Sequence, residues 1–279
     1  MAGKKIIFVE QDEWMLLPIW REAFMGAEWL SLRTRPVYYG YGVPHGNGSA
    51  VITVPGFLGS DLYLTEMNRW LKRIGYRAYP SGIGRNAECP DILVDRLLDT
   101  VKRAYRETGE RVHLVGHSLG GLLSRSAAAM LPECVLSVTT LGSPFRGMRS
   151  HPSVMMTSRQ VRQRILKRAH TRPAHKPLRQ DCFTGGCNCE FAESIRLGIP
   201  KDLVHETAIY TKTDGVVHWS VCVTGNPDSD IEVKGTHCGL AWNAQVYRTI
   251  AQRLAQADEA FVEELERAYP SIMQATSVV

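Results

Sequence analysis

Apolar residues along this chain fall into short blocks that alternate between two periods. Ala50-Val-Ile-Thr-Val54 is a compact apolar run stopped by Pro55-Gly56, the pattern of a buried strand and its end. Asp61–Ile74 then carries apolar positions at helical spacing, Arg77–Pro80 is a short strand, and Pro90–Thr108 is a long amphipathic helix. Val112–Gly116 and Val135–Leu141 are further strand-like runs, with a helix-forming stretch, Leu122–Met130, between them. Glu206–Thr211 and Ile231–Lys234 complete the strands, and Asn243–Tyr269 is a C-terminal helix with a candidate break near Ala257. Ahead of all these, residues 13–30 place apolar side chains at helical spacing, with Pro18 as a kink or break, and Tyr38–Ser49 is a turn-rich link. Strands alternating with helices predict an α/β fold whose mostly parallel central sheet is flanked by helices.

One stretch breaks the alternation. Phe145 to His205 follows a strand and lacks a convincing strand of its own. From Arg146 to Arg179 it carries Arg and Lys and no acid at all. It reads as an insertion at about 146–205, a helical or irregular lid over the carboxyl ends of the strands, where open α/β sheets place their sites. With that insertion included, residues 1–279 are expected to form one domain. Val154, Met155, Met156, Ile165, Leu166, Phe183 and Phe191 suit an acyl channel, and suit equally the anchoring of the segment to the core. The basic run fits peripheral contact with an anionic membrane, an anionic substrate or a plain solvated face. Without interleaved aromatics it does not fit nucleic acid.

Composition narrows this little. The fractions, 44% hydrophobic and 22% charged, are those of an ordinary globular protein, and a net charge of +5 is too modest to imply a polyanionic partner. The apolar run Ile6–Val9 is too short for a signal peptide, and no run approaches the roughly 18 apolar residues of a membrane span, so a cytoplasmic location is expected. Seven scattered cysteines do not make a disulfide framework. Cys182, Cys187 and Cys189 form the one cluster, open to zinc, to a redox or disulfide role, or to free thiols.

The chemistry starts at His113-Leu-Val-Gly-His-Ser-Leu-Gly-Gly121, which is Gly-x-Ser-x-Gly between a strand and a helix. Serine is a poor nucleophile unless it is held out beside a base, and a sharp strand-to-helix turn does this for Ser118. The N–H of Leu119, at the start of the helix, is one donor for developing negative charge, and Phe57, in Pro55-Gly-Phe-Leu-Gly59, supplies the second. Among nine histidines, His237 in the loop after the last strand is best placed as base. His113 and His117 lie in or beside the elbow strand, and His218 follows Asp214-Gly215. Asp214, after the preceding strand, is the candidate orienting carboxylate. Asp228 and Asp230 are alternatives that read first as a polar turn, or as ligands of a hard cation. Phe57, Leu58 and Phe145 lie nearest the expected site and suggest an apolar substrate pocket.

Val54-Pro-Gly-Phe-Leu-Gly59, Gly116-His-Ser-Leu-Gly120, Leu141-Gly-Ser-Pro-Phe-Arg-Gly147, Lys212-Thr-Asp-Gly-Val-Val217 and Gly235-Thr-His-Cys-Gly-Leu240 resemble, in order, the signatures of bacterial α/β-hydrolase lipases and esterases. The likeness runs from Ala50 to Leu254 apart from the insertion. It departs from many lipases at Pro55, where they have His. The resemblance implies an α/β-hydrolase fold and a Ser118–His237–Asp214 triad with Phe57 and Leu119 as oxyanion donors. It also implies a serine carboxylic-ester hydrolase acting through an acyl-enzyme on a small-molecule or lipid ester, needing no metal or other cofactor. A thioesterase, amidase or acyltransferase on the same scaffold is the alternative, and a non-catalytic binding protein a more distant one.

Overall fold

Parallel pairing runs through the whole central sheet. The computed structural model describes residues 13–268 except 169, 171, 180 and 183–185; Ile6–Val9, Phe183 and Tyr269 lie outside the described residues. In chain order the elements are β1 (Glu13–Trp14), α1 (Met25–Arg33), β2 (Ala50–Val54), α2 (Thr65–Arg73), β3 (Arg77–Pro80) and α3 (Pro90–Thr108). They continue with β4 (Val112–His117), α4 (Leu119–Met130), β5 (Val135–Leu141), β6 (Arg149–Ser150), α5 (Pro152–Lys167) and α6 (Glu190–Leu197). The last are β7 (His205–Tyr210), β8 (Asp230–Glu232) and α7 (Ala244–Ala268). Six strands pair in the order β3-β2-β4-β5-β7-β8, every neighbour parallel.

Every residue of β2, β4 and β5 is buried, which is why these strands read as continuous apolar runs rather than alternating ones. Alternate residues serve opposite faces. Ile52 and Leu114 pack with Leu97 of α3 and Leu123 of α4, whereas Val51 and Val115 pack with Trp70 of α2 and Tyr247 of α7. The break foreseen near Ala257 does not occur: α7 runs unbroken for 25 residues, with Ala257 buried against the sheet. Alanine is the best of helix formers and gives no reason to stop. Asp258, the next residue, ties the helix down, with Oδ1 lying 3.0 Å from His113 Nε2 and accepting from Ser49 Oγ at 3.2 Å.

Two elements differ from the sequence-based expectation. Residues 13–30 are not one helix: β1 is followed by Pro18, a 3-10 turn over Ile19–Phe24 and then α1. The segment between β5 and β7 does contain a strand, because β6 pairs in parallel with β1 through Glu13↔Arg149 and Trp14↔Ser150. A two-residue strand is too short to show a period of two. The rest of that segment is mainly α5 and α6. α5 packs on Ile92 of α3 and on Phe57, and Ile195 of α6 packs on Leu122 of α4.

The junction of β4 and α4 is close enough to demand glycine. A Cβ on Gly116 would stand 2.5 Å from both Gly120 O and Gly121 Cα, inside any real contact. Gly116→Ala is therefore expected to destabilise the protein by about 1–3 kcal/mol, as overpacking does. Urea unfolding of wild type and variant measures it, and equal midpoints would remove the packing argument.

Candidate active site

Ser118 joins β4 to α4 with φ 52° and ψ −123°. For a residue with a Cβ such a backbone costs on the order of 1–3 kcal/mol and persists only where its surroundings over-determine it. Here its N–H donates to Leu141 O at 2.8 Å and its carbonyl accepts from Gly121 N–H at 2.9 Å. Leu58, at φ 64°, is the other non-glycine residue with positive φ among the described residues. Both line one cavity of about 1000 Å³, which is also lined by Phe57, Leu119 and His237.

The Phe57–Leu58 loop is fixed by a residue that sequence reasoning missed. Asn86, fully buried, donates from Nδ2 to Pro55 O at 2.8 Å, accepts from Leu58 N–H at 2.8 Å and donates its own N–H to Gly59 O at 2.8 Å. The N–H groups of Phe57 and Leu119 make no hydrogen bond among the described residues. Leu119 is the first residue of α4, where a helix leaves its N–H groups without internal partners.

His237 and Asp214, 23 residues apart, meet at the same end of the sheet. His237 Nδ1 lies 2.7 Å from Asp214 Oδ2. The other carboxylate oxygen accepts from Val216 N–H at 2.8 Å and Val217 N–H at 2.7 Å, so the turn after β7 fixes the acid before the imidazole meets it. Both side chains are buried. Burial pushes the His237 imidazole down, but the Asp214 charge, its hydrogen bond and the charge of Glu22 outweigh this, and its pKa stands above the ordinary 6.5.

His117 is engaged with the backbone of the His237 loop. Its Nε2 is 2.9 Å from His237 O, and its ring packs 4.9 Å from that of His237 and 5.3 Å from Tyr63. Burial, with His237 beside it, lowers its pKa to about 3 despite the hydrogen bond to His237 O, so the neutral ring donates from Nε2. Tyr63 Oη donates to Cys238 O at 2.6 Å, pinning the same loop from the next side.

The remaining candidates are placed as follows. Leu58 lines the cavity, but Phe145 does not: it is buried among Leu122, Ile195 and Ala208, with the Arg125 guanidinium 4.1 Å above its ring. Its position after β5 left open which way the ring turned. Val154, Met155, Ile165 and Phe191 line the cavity, whereas Met156 and Leu166 are exposed. Asp230 closes its own turn by accepting from Thr224 N–H and Gly225 N–H, and Asp228 stands in that turn. His218 Nδ1 is bonded to Ser220 and His113 to Ser137 and Asp258. Cys182, Cys187 and Cys189 are free thiols beside the cavity, with the Cys187 and Cys189 sulfurs 3.4 Å apart; among the described residues no group of three metal-ligating side chains occurs.

The two neighbouring imidazoles are therefore expected to titrate far apart. At pH 6.5, nitrogen-correlated NMR should find His117 neutral and protonated on Nε2 while His237 is mostly imidazolium. Finding the neutral His117 ring protonated on Nδ1, with Nε2 bare, would contradict the assignment of its donor to His237 O.

A family model of the alpha/beta hydrolase fold matches residues 94–182. A triacylglycerol lipase of Pseudarthrobacter phenanthrenivorans is 37% identical over 106 residues, which is 35% of this chain and 33% of that protein. A triacylglycerol lipase of Burkholderia plantarii is likewise 37% identical over 106 residues, covering 35% of this chain and 30% of its own length. The match thus spans about a third of these relatives. Among solved structures, a chain from the work on LipS and LipT, two metagenome-derived lipolytic enzymes, superposes with a TM-score of 0.50 at 16% identity, covering 78% of this chain and 96% of that one. By its sheet, its serine turn and the family model matched over residues 94–182, the chain has the α/β-hydrolase fold and is similar in sequence to triacylglycerol lipases.

Proposed function

We propose that the protein is a serine carboxylic-ester hydrolase of the lipase/esterase type. One observation carries the reading: a serine on a strained turn shares its cavity with an imidazole whose Nδ1 is already bonded to a buried carboxylate. In this reading His237 Nε2 takes the proton from Ser118 Oγ as the oxygen attacks the acyl carbonyl, and Asp214 stabilises the imidazolium. The N–H groups of Phe57 and Leu119 receive the oxyanion. The tetrahedral adduct collapses, the leaving alkoxide takes the proton from His237, and an acyl group remains on Ser118. Water, deprotonated by the same imidazole, then releases the acid and restores the serine.

The cavity favours an apolar acyl group, since Phe57, Leu119, Leu122, Met155, Val161 and Ile165 line it. The sequence similarity to triacylglycerol lipases points the same way. The segment from about 146 to 205, which supplies several of these side chains, acts in this reading as a lid within a single domain.

Hydrolysis of p-nitrophenyl esters from acetyl to palmitoyl tests this. Wild type is expected to be active, and Ser118→Ala to lose at least about a thousandfold in kcat. Folded wild type that is inert across the series would turn the reading towards thioester, amide or acyl-transfer chemistry, or to binding alone.

The reading extends to contact with an anionic lipid surface. Trp14, Leu16, Trp20, Phe24, Trp29 and Leu30 are all exposed, and the β1–β6 pairing joins this strip to the basic segment. The Arg159 guanidinium lies 5.1 Å from the Trp14 ring centre. Aromatic rings with nearby cations suit a negatively charged interface. The protein should co-sediment with phosphatidylglycerol vesicles at low salt, less at high salt, and little with phosphatidylcholine. No sedimentation with either vesicle would overturn this extension.

A further inference from the structure

The amino-terminal 3-10 turn reaches into a site built nearly 200 residues later. Glu22 Oε1 accepts from Gly215 N–H at 3.1 Å and from His237 N–H at 3.0 Å, and its Oε2 accepts from Cys238 N–H at 2.8 Å. One carboxylate therefore bridges the loop that carries Asp214 and the loop that carries His237. Glu28, in α1, continues the clamp by accepting from Thr236 N–H at 2.9 Å and from Thr236 Oγ1 at 2.6 Å.

Both loops are shaped for these acids. A Cβ on Gly215 would stand 3.0 Å from Glu22 Oε1 and 2.8 Å from Pro18 O, and one on Gly239 would overlap the Glu28 carboxylate. Buried backbone N–H groups need an acceptor inside the protein, and here three of them converge on one anion. That is a costly arrangement to break: each donor left unmet in a buried site loses its full desolvation compensation.

We propose that Glu22 is a positioning residue for the reaction assigned to Ser118, His237 and Asp214. Its carboxylate fixes the distance between the two catalytic loops, and its charge favours the imidazolium form of His237. The clamp is independent of the ester chemistry, but its catalytic consequence rests on the function proposed above.

The groups around His237 make the electrostatic part specific. Asp214 faces it from the loop after β7, Glu22 from the 3-10 turn, and Glu28 stands behind on Thr236. His117, from β4, is neutral, as its pKa is lowered to about 3 by burial and by His237 itself. The Cys238 thiol, pushed up to about 12 by burial and by Glu22, is uncharged, as are the buried Tyr63 hydroxyl and the Cys222 thiol beside Asp214. Removing the Glu22 charge thus removes one of the few anions near the base, and with it a force holding the proton on His237. The His237 pKa must then fall, and since the base works in its neutral form, the acidic limb of the rate profile moves to lower pH.

The test uses the full chain carrying Glu22→Gln and, separately, Glu22→Asp. Glu22→Gln should lower kcat about tenfold, a factor equal to about 1.4 kcal/mol, with KM close to wild type. The acidic limb of kcat/KM and the His237 NMR titration should both move to lower pH. Glu22→Asp, which keeps the charge but shortens the reach, should lose kcat while its titration stays nearer to wild type. A Glu22→Gln protein with kcat, acidic limb and His237 titration all unmoved would reduce Glu22 to packing and overturn the proposal. Should Glu22→Gln fail to fold, the aspartate variant decides: reduced kcat at unchanged KM supports the clamp, and wild-type kcat overturns it. Wild type inert on esters would defeat the ester reading, while the His237 titration in wild type and Glu22→Gln would still decide the clamp.

Discussion

The distance at which α4 can approach β4 governs the rest of this molecule. At Gly116 there is no room for a methyl group between strand and helix, and the turn that closes so tight a junction places Ser118 in the left-handed region. That strain is tolerable because Ser118 is held at both ends by backbone hydrogen bonds to elements that are themselves buried. The strand-to-helix junction also sets the first N–H groups of α4 beside the serine. The nucleophile and the oxyanion donor proposed for this site are thus consequences of one packing constraint rather than separate inventions.

The histidine loop answers a different problem. It lies after the last strand of the sheet, where few ladder bonds reach it, and yet its imidazole must be held in place. The structure fixes it from several directions: Asp214 on the ring, His117 and Tyr63 on the carbonyls of His237 and Cys238, and Glu22 on their N–H groups. Donors and acceptors of two consecutive residues are both used, so the loop can neither slide nor rotate without leaving a buried polar group unmet.

Strands were legible in the sequence wherever both faces are covered, because such strands are apolar throughout: Ala50–Val54 and Val135–Leu141 have the bounds expected of them. The serine turn was legible because its glycines are local requirements. Asp214 and His237 could be named because each follows a recognisable strand, and the structure brings them to 2.7 Å of one another. Glu22 and Asn86 could not. Their partners lie up to 216 and 31 residues away in the chain, and a lone Glu in a half-exposed amphipathic stretch carries no local mark of what it will meet. Phe145 failed for the complementary reason: its place after β5 was read correctly, but adjacency to a site does not say which way a ring turns.

Charge runs have the same ambiguity. Read along the chain, Arg146 to Arg179 is a single cationic block. Folded, it divides. Lys176 turns inward, with its ammonium 3.2 Å from both Asp91 Oδ2 and Asp95 Oδ1 of α3 and paired with Glu190 of α6. Burial alone would lower its pKa, yet these acids hold it raised. Arg172 likewise spends its Nε on Lys176 O and one terminal nitrogen on the Cys89 sulfur. Buried pairs of this kind add less to stability than to specificity of placement, because desolvation offsets much of their attraction. Lys176 therefore fastens its segment to α3 and α6 beside the cavity, and the attraction proposed for an anionic surface falls to outward residues such as Arg159 and Arg164. The two functions inferred for this segment, covering the cavity and meeting a lipid surface, need opposite orientations of the same residue type: the turn after α5 points Lys176 inward, while α5 itself leaves Arg159 and Arg164 exposed.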